Sequence, residues 1–262
     1  MGTFSSTRWI AGPILRTVLF LGLLALPAAA DEIPATLRPA WSQLDFYPPG
    51  LPAWVSAKQA FDEDGRLIPD FFRPEALERL NDLLYRPKDP ATGCTKMLWI
   101  EQNYVNPPDR SSLIAAVRSS QLILLGKVVA REIGFERGEL GQMLMIQPSE
   151  QLKPAGGDLG RNYFVFVPAG RFQIAGLDIC KEDPRFVAPE IGDDVLLFPR
   201  DAPAGEIFLN LEYEGSLVVL NADEQVKWPR SFTAADGTRG EPKASRLAIL
   251  NEIRAEVGRG KP

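Results

Sequence analysis

A mostly β fold, closed into a barrel or paired into a sandwich and flanked by helices, is what this sequence predicts, and three observations predict it. Short β-rich runs recur between Leu122 and Leu220. Clusters of glycine, proline and aspartate separate them. Several runs are apolar at successive positions, so both faces of those strands must be covered.

The chain opens with Arg8 and Arg16, an apolar run from Thr17 to Leu26, Pro27, and the small-residue triplet Ala28-Ala29-Ala30, with no acid before Asp31. That order defines a secretory signal peptide over residues 1–30, cleaved between Ala30 and Asp31. The apolar run falls short of the roughly 20 residues a membrane-crossing helix needs. No cysteine follows the triplet to take a lipid. The expected product is exported to the periplasm or beyond, soluble and without stable membrane insertion.

Residues 31–110 read as an N-terminal extension rich in proline and aromatics. Pro34, Pro39, Pro48, Pro49 and Pro52 alternate with Trp41, Phe46, Tyr47 and Trp54, as in an arm that packs onto a body. Asp64-Gly65, between apolar flanks from Ala60 to Asp70, signals a hairpin turn. Pro74 opens a helix whose Leu77, Leu80, Leu83 and Leu84 share a face, and Pro87 lies beyond its end. A second short helix is expected over Ser112 to Arg118.

The period then becomes that of strands, over residues 111–230. Leu122 to Val129 is broken by Gly126, a natural bulge position. Met143 to Ile146 follows. In Tyr163 to Val167, Tyr163, Val165 and Val167 lie on one face and Phe164 and Phe166 on the other. Phe172 to Leu177, Val195 to Phe198, Glu206 to Leu211 and Leu217 to Leu220 complete the series. Residues 231–262 end in a helix over Ala244 to Val257, with Leu247, Leu250 and Ile253 expected to face the core.

Composition narrows the function. The 262 residues carry 29 basic and 34 acidic side chains, a formal charge of −5, and losing Arg8 and Arg16 with the leader makes it −7. Such a surface repels phosphate backbones, so nucleic acid is not an expected partner. There is no histidine, which removes Ser-His-Asp and Cys-His catalysis and the common zinc, haem and copper sites. The two cysteines, Cys94 and Cys180, form an even count in an exported chain and predict one disulfide, the alternative being two buried thiols. Closing so long a loop is worth on the order of 4–5 kcal/mol in the chain-entropy picture.

Four segments carry a family resemblance. They are Leu124-Leu125-Gly126-Lys127-Val128-Val129, Ile146 to Lys153, Val165 to Gly170, and Gly192-Asp193-Asp194-Val195-Leu196-Leu197-Phe198. Together, over about residues 121–220, they resemble exported bacterial proteins of unknown role with a netrin-like module, the OB-type barrel of the tissue inhibitors of metalloproteinases. The resemblance implies an OB-like antiparallel β-barrel with the extension and the last helix packed outside it. The glycine of the family's second strand is replaced by Pro154, and the inhibitors' N-terminal cysteine has no counterpart because Asp31 begins the expected mature chain. The resemblance therefore implies a barrel without inhibitor activity.

Asp62-Glu63-Asp64-Gly65 approaches a calcium-binding EF-hand loop, but Ala60 and Phe71 occupy two ligand positions, which favours a hairpin tip. The carboxylate pairs Asp193/Asp194 and Glu212/Glu214 could serve glycoside hydrolysis only if their acids converge. Neighbours on a strand point to opposite faces, and Gly215 turns the chain after Glu214. Gly156-Gly157-Asp158-Leu159-Gly160 lacks the spacing of a phosphate loop. No catalytic, cofactor or metal residue is assigned. The expected function is a non-catalytic module binding an unknown protein or glycan; the alternative is a carboxylate-dependent hydrolase such as a glycosidase.

Overall fold

The structure is a computed structural model that describes residues 54–98, 112–153, 159–183, 185–200, 207–209, 211, 216–220, 226–227 and 245–259. The leader with Ala30 and Asp31, and the arm before Trp54, lie outside these residues.

In chain order the elements are β1 (Trp54–Ser56), α1 (Ala57–Ala60), α2 (Pro74–Leu84), β2 (Thr95–Leu98), α3 (Leu113–Ser119), β3 (Ile123–Glu136), β4 (Glu139–Lys153), β5 (Tyr163–Val167), β6 (Gly170–Ile174), β7 (Leu177–Glu182), β8 (Asp194–Leu197), β9 (Phe208–Leu209), β10 (Leu217–Leu220), β11 (Val226–Lys227) and α4 (Arg246–Arg259). The protein is mostly β and carries a C-terminal helix.

Two helices start where their sequence says. Pro74 occupies the first turn of α2, where its missing N–H costs nothing. Ser112 caps α3, its Oγ accepting from the Ala115 N–H at 3.2 Å. In α4, Ile249, Leu250 and Ile253 are buried, whereas Leu247 is 64% exposed, contrary to the core role its spacing suggested. Ile249 takes the place on the buried stripe instead. Arg118 on α3 donates from Nε to Glu256 Oε1 of α4 at 2.6 Å, joining the two helices over one face of the sheet.

β3 and β4 dominate the architecture. Paired antiparallel from Ile123↔Lys153 to Glu136↔Glu139, they are much longer than Leu122–Val129 and Met143–Ile146. The missed turn is Arg137-Gly138, with φ of 52° and 73°; both signs suit a two-residue type I′ hairpin. Phe172–Leu177, expected as one strand, is likewise cut by Ala175-Gly176, with φ of 46° and 75°, into β6 and the start of β7. The register shifts at Leu125/Gly126, at the expected bulge.

The larger sheet runs β11-β10-β8-β3-β4-β5-β9, with β1 on β3 beyond β8. Its end strands do not pair with each other among the described residues, so the sheet does not close into a barrel. The smaller sheet runs β2-β7-β6, its β2–β7 pair parallel. β1 and β2, both from the N-terminal extension, are thus integral to the two sheets. Cys94 and Cys180 form a disulfide with Cα atoms 5.8 Å apart. Cys180 lies within β7 rather than in a loop, and the bond fastens the entrance of β2 to it.

Four apolar clusters follow from this layout. Tyr163, Val165 and Val167 join Leu124, Leu144, Val195, Leu197, Leu217 and Val219 on one face of the large sheet. Ile123, Leu125, Leu196 and Val218 meet α3 and α4 on the other. At the far end of the β3–β4 hairpin, Phe135 and Leu140 pack with α1, α2 and the small sheet. Phe164 and Phe166 lie with Trp54, Met143 and Met145.

Inside the last cluster, Gly134 and Gly141 face each other across the hairpin. A Cβ on Gly134 would stand 2.4 Å from the Val55 carbonyl oxygen and 2.6 Å from the Trp54 ring, and one on Gly141 would stand 2.4 Å from the Phe166 ring. Those rings meet edge to face, with centroids 6.1 Å apart. The glycine pair makes room for the aromatic pair. Gly134→Ala is expected to destabilise the protein by about 1–3 kcal/mol, the range for overpacking, because backbone and ring must both move. Urea unfolding of the two forms checks this; an unchanged midpoint would refute it.

Candidate functional site

A cleft of about 1290 Å³ opens where the two sheets and the N-terminal hairpin meet. One wall is Arg131, Glu132 and Ile133, in the stretch of β3 between its pairing with β8 and its pairing with β1. A second wall is β6, through Arg171, Gln173 and Ile174. The lip is the hairpin tip Asp62-Glu63-Asp64-Gly65, and Lys58, Phe61, Glu190 and Ile191 complete it.

The tip is held locally. Asp62 Oδ1 accepts from the N–H groups of Asp64 at 3.0 Å and Arg66 at 2.8 Å, while Phe61 and Leu67 pair beneath it. The sequence thus placed a hairpin correctly at these acids, and the structure adds that they border a cleft. Arg171 is fixed by Asp178, donating from Nη2 at 2.7 Å and from Nε at 3.0 Å.

A second charged cluster lies at the tip of the β3–β4 hairpin. Lys181 of β7 is 4% exposed and donates from Nζ to Glu139 Oε1 at 3.0 Å and to the Leu140 carbonyl at 2.6 Å. Burial pulls the Lys181 ammonium down, and the attraction of Glu139 opposes that. Asp183 binds Arg185 through both carboxylate oxygens, at 3.0 Å from Nε and 2.6 Å from Nη2. Glu136 stands directly across the hairpin from Glu139. Burial pushes its carboxyl up to about 7, with Arg137 opposing and Glu139 reinforcing the rise. A carboxyl whose proton affinity is raised beside a second acid is an arrangement that acid–base chemistry uses. The space beside them, however, is about 140 Å³, well under the roughly 300 Å³ at which ligand pockets begin.

Of the carboxylate pairs singled out by sequence, Asp193/Asp194 does not converge on either site. Asp193 Oδ2 accepts from the Glu190 N–H at 2.9 Å. Asp194 is engaged by Lys127 Nζ at 3.0 Å and by Arg246. Burial works to raise the Asp194 carboxyl, but these two cations outweigh it and hold it below the ordinary range. Glu212, Glu214 and Gly156-Gly157-Asp158 lie outside the described residues. No group of three or more His, Cys, Asp or Glu side chains poised for a metal occurs among the described residues.

Arg131, Glu132, Arg171 and Gln173, and the buried cluster at the hairpin tip, were not read from sequence. Recognising that β3 continues through Arg131 to Glu136 would have placed Arg131, Glu132 and Glu136 on defined faces of that strand; nothing in the sequence brings Arg171 and Gln173 of β6 beside them. Comparison with protein-family models, known proteins and solved structures finds no match for this chain.

Glu136 makes stability depend on pH. Its folded-state value, about 7, lies above the ordinary 4.5. The protonated carboxyl therefore contributes stability that is complete below the lower value and lost as pH rises through the upper one. The loss is on the order of 2–3 kcal/mol. Glu136→Gln mimics the protonated form, so wild type and variant are expected to unfold alike near pH 4, with the variant pulling ahead by that amount between pH 5 and 8. A gap that does not change with pH refutes the assignment.

Proposed function

We propose that this chain is an exported, non-catalytic binding module, built on a netrin-like, OB-type β architecture, that takes a protein or glycan ligand in the cleft between its sheets. Size carries the reading. A cleft of about 1290 Å³, walled by both sheets, is amply large for a macromolecular segment, while the paired carboxylates Glu136 and Glu139 border a space of about 140 Å³. That smaller space holds a few waters and no sugar ring.

Export is supported by the tripartite leader, by the Cys94–Cys180 disulfide, and by the fact that no described helix is long and apolar enough to cross a membrane. The barrel-like reading is supported by one apolar cluster that collects inward side chains from β3, β4, β5, β8, β9 and β10.

Two measurements test the proposal. Intact mass of the exported protein is expected to match a chain starting at Asp31; a retained leader would overturn the export part. Binding is tested on an array of envelope glycans and against the native envelope proteins, with Arg131→Glu beside wild type. Retention that changes at least tenfold in the variant, in either direction, supports the cleft, because Arg131 lines it; unchanged retention overturns it. Robust hydrolase turnover abolished by replacing one carboxylate would show an enzyme instead.

A further inference from the structure

Among the described residues strand β6 is the outer strand of the small sheet, and its Arg171, Gln173 and Ile174 border the cleft. The orientation of its backbone follows from the turn that ends it. In a two-residue hairpin the residues flanking the turn, Ile174 and Leu177, form the narrow hydrogen-bonded pair. Alternation then commits the N–H and C=O groups of Ile174, Phe172 and Gly170 to β7. Those of Arg171 and Gln173 point the other way, to the edge that no described strand covers. Side chains alternate too: Phe172 and Ile174 are buried in the core, and Arg171 and Gln173 are exposed. The result is a strand anchored to β7 on one side, whose outward polar groups pair with no described strand.

We propose that the ligand of this cleft is an extended basic peptide segment of a partner protein, added as a strand along β6 by hydrogen bonds to the backbone of Arg171 and Gln173. The inference rests on the binding-module reading and names its ligand class. Edge addition supplies affinity through the main chain and specificity through alternate side chains. The five residues of β6 span about 17 Å, room for as many ligand residues. Charge selects the sign. The lining carries five acidic side chains against three basic ones, and one of the three, Arg171, is already bound by Asp178. The lip Asp62-Glu63-Asp64 thus favours lysine or arginine on the incoming strand. Phe61, Ile133, Ile174 and Ile191 offer apolar contacts for the side chains between them.

The test uses the full oxidised protein and a displayed library of random octapeptides. Enriched peptides are expected to alternate apolar and basic residues, and one synthesised with its basic residues changed to glutamate should bind at least tenfold more weakly. Gln173→Pro deletes an outward N–H that β7 does not use, a position where an edge strand tolerates proline. It should cost at least tenfold in affinity relative to Gln173→Ala, which removes the same side chain but keeps the N–H. Hydrogen exchange on wild type gives a second readout that needs no variant: the Arg171 and Gln173 amides should slow when peptide is bound. Equal binding of basic and acidic peptides, full binding by Gln173→Pro, or unprotected amides at these two residues each overturns the inference. If the library yields nothing while a glycan is held in an Arg131-dependent manner, the peptide inference fails and the binding-module reading stands.

Discussion

The pairing of β3 with β4 is the constraint on which the remaining structure depends. These two strands, 14 and 15 residues long, run through all four apolar clusters. β8, β1 and β5 find their places only by pairing with them. The pairing brings β1 so close that a side chain at Gly134 would strike it, and it seats Trp54 and Phe166 against each other over bare backbone. Aromatic rings placed over glycine on a sheet fill the volume the missing side chain leaves and restore packing density there. Lengthening either glycine would push β1 or β5 off the hairpin.

The small sheet is attached to this hairpin in two chemically different ways. Apolar contact is the first, Phe172 and Ile179 against Phe135 and Leu140. The second is polar: Lys181 reaches across to Glu139 and the Leu140 carbonyl, and the Gln142 amide donates to the Ala169 carbonyl at 3.1 Å. Buried polar groups are costly unless paired, so these bonds allow few other arrangements of the two sheets. The disulfide then holds β2 to β7 in parallel register, where hairpin connectivity could not. Because the sheets are fixed at an angle around the hairpin tip, they leave an open cleft on one side and a closed charged cluster on the other.

That division separates a closed, charge-matched cluster from an open, acidic cleft. Charges in the closed cluster are matched pair by pair, Lys181 with Glu139 and Arg185 with Asp183, and a protonated Glu136 adds no unmatched charge. In the open cleft the balance is acidic and the walls end in a strand edge. The first arrangement holds two sheets together, and the second leaves β6 at the border of an acidic cleft.

Sequence by itself determined the secondary structure wherever the local signal was self-contained. Tyr163 to Val167 and Leu217 to Leu220 were legible because continuous β-rich apolar runs are buried on both faces. Pro74 and Ser112 marked helix starts because their chemistry acts within one turn. The absence of histidine and the even cysteine count bounded the chemistry in the same local way. The full length of β3 and β4 was not legible: their turn is Arg-Gly rather than Asn-Gly or Asp-Gly, and their outer halves carry charges that become satisfied only across the sheets. Leu247 lay on the apolar stripe of α4 by spacing, yet the position of the underlying sheet left it in solvent and buried Ile249. The cleft had no signature at all, since Arg131, Arg171 and the Asp62 tip are far apart in the chain. Only tertiary structure decided that site, because it is made by the angle between two sheets rather than by any segment of either.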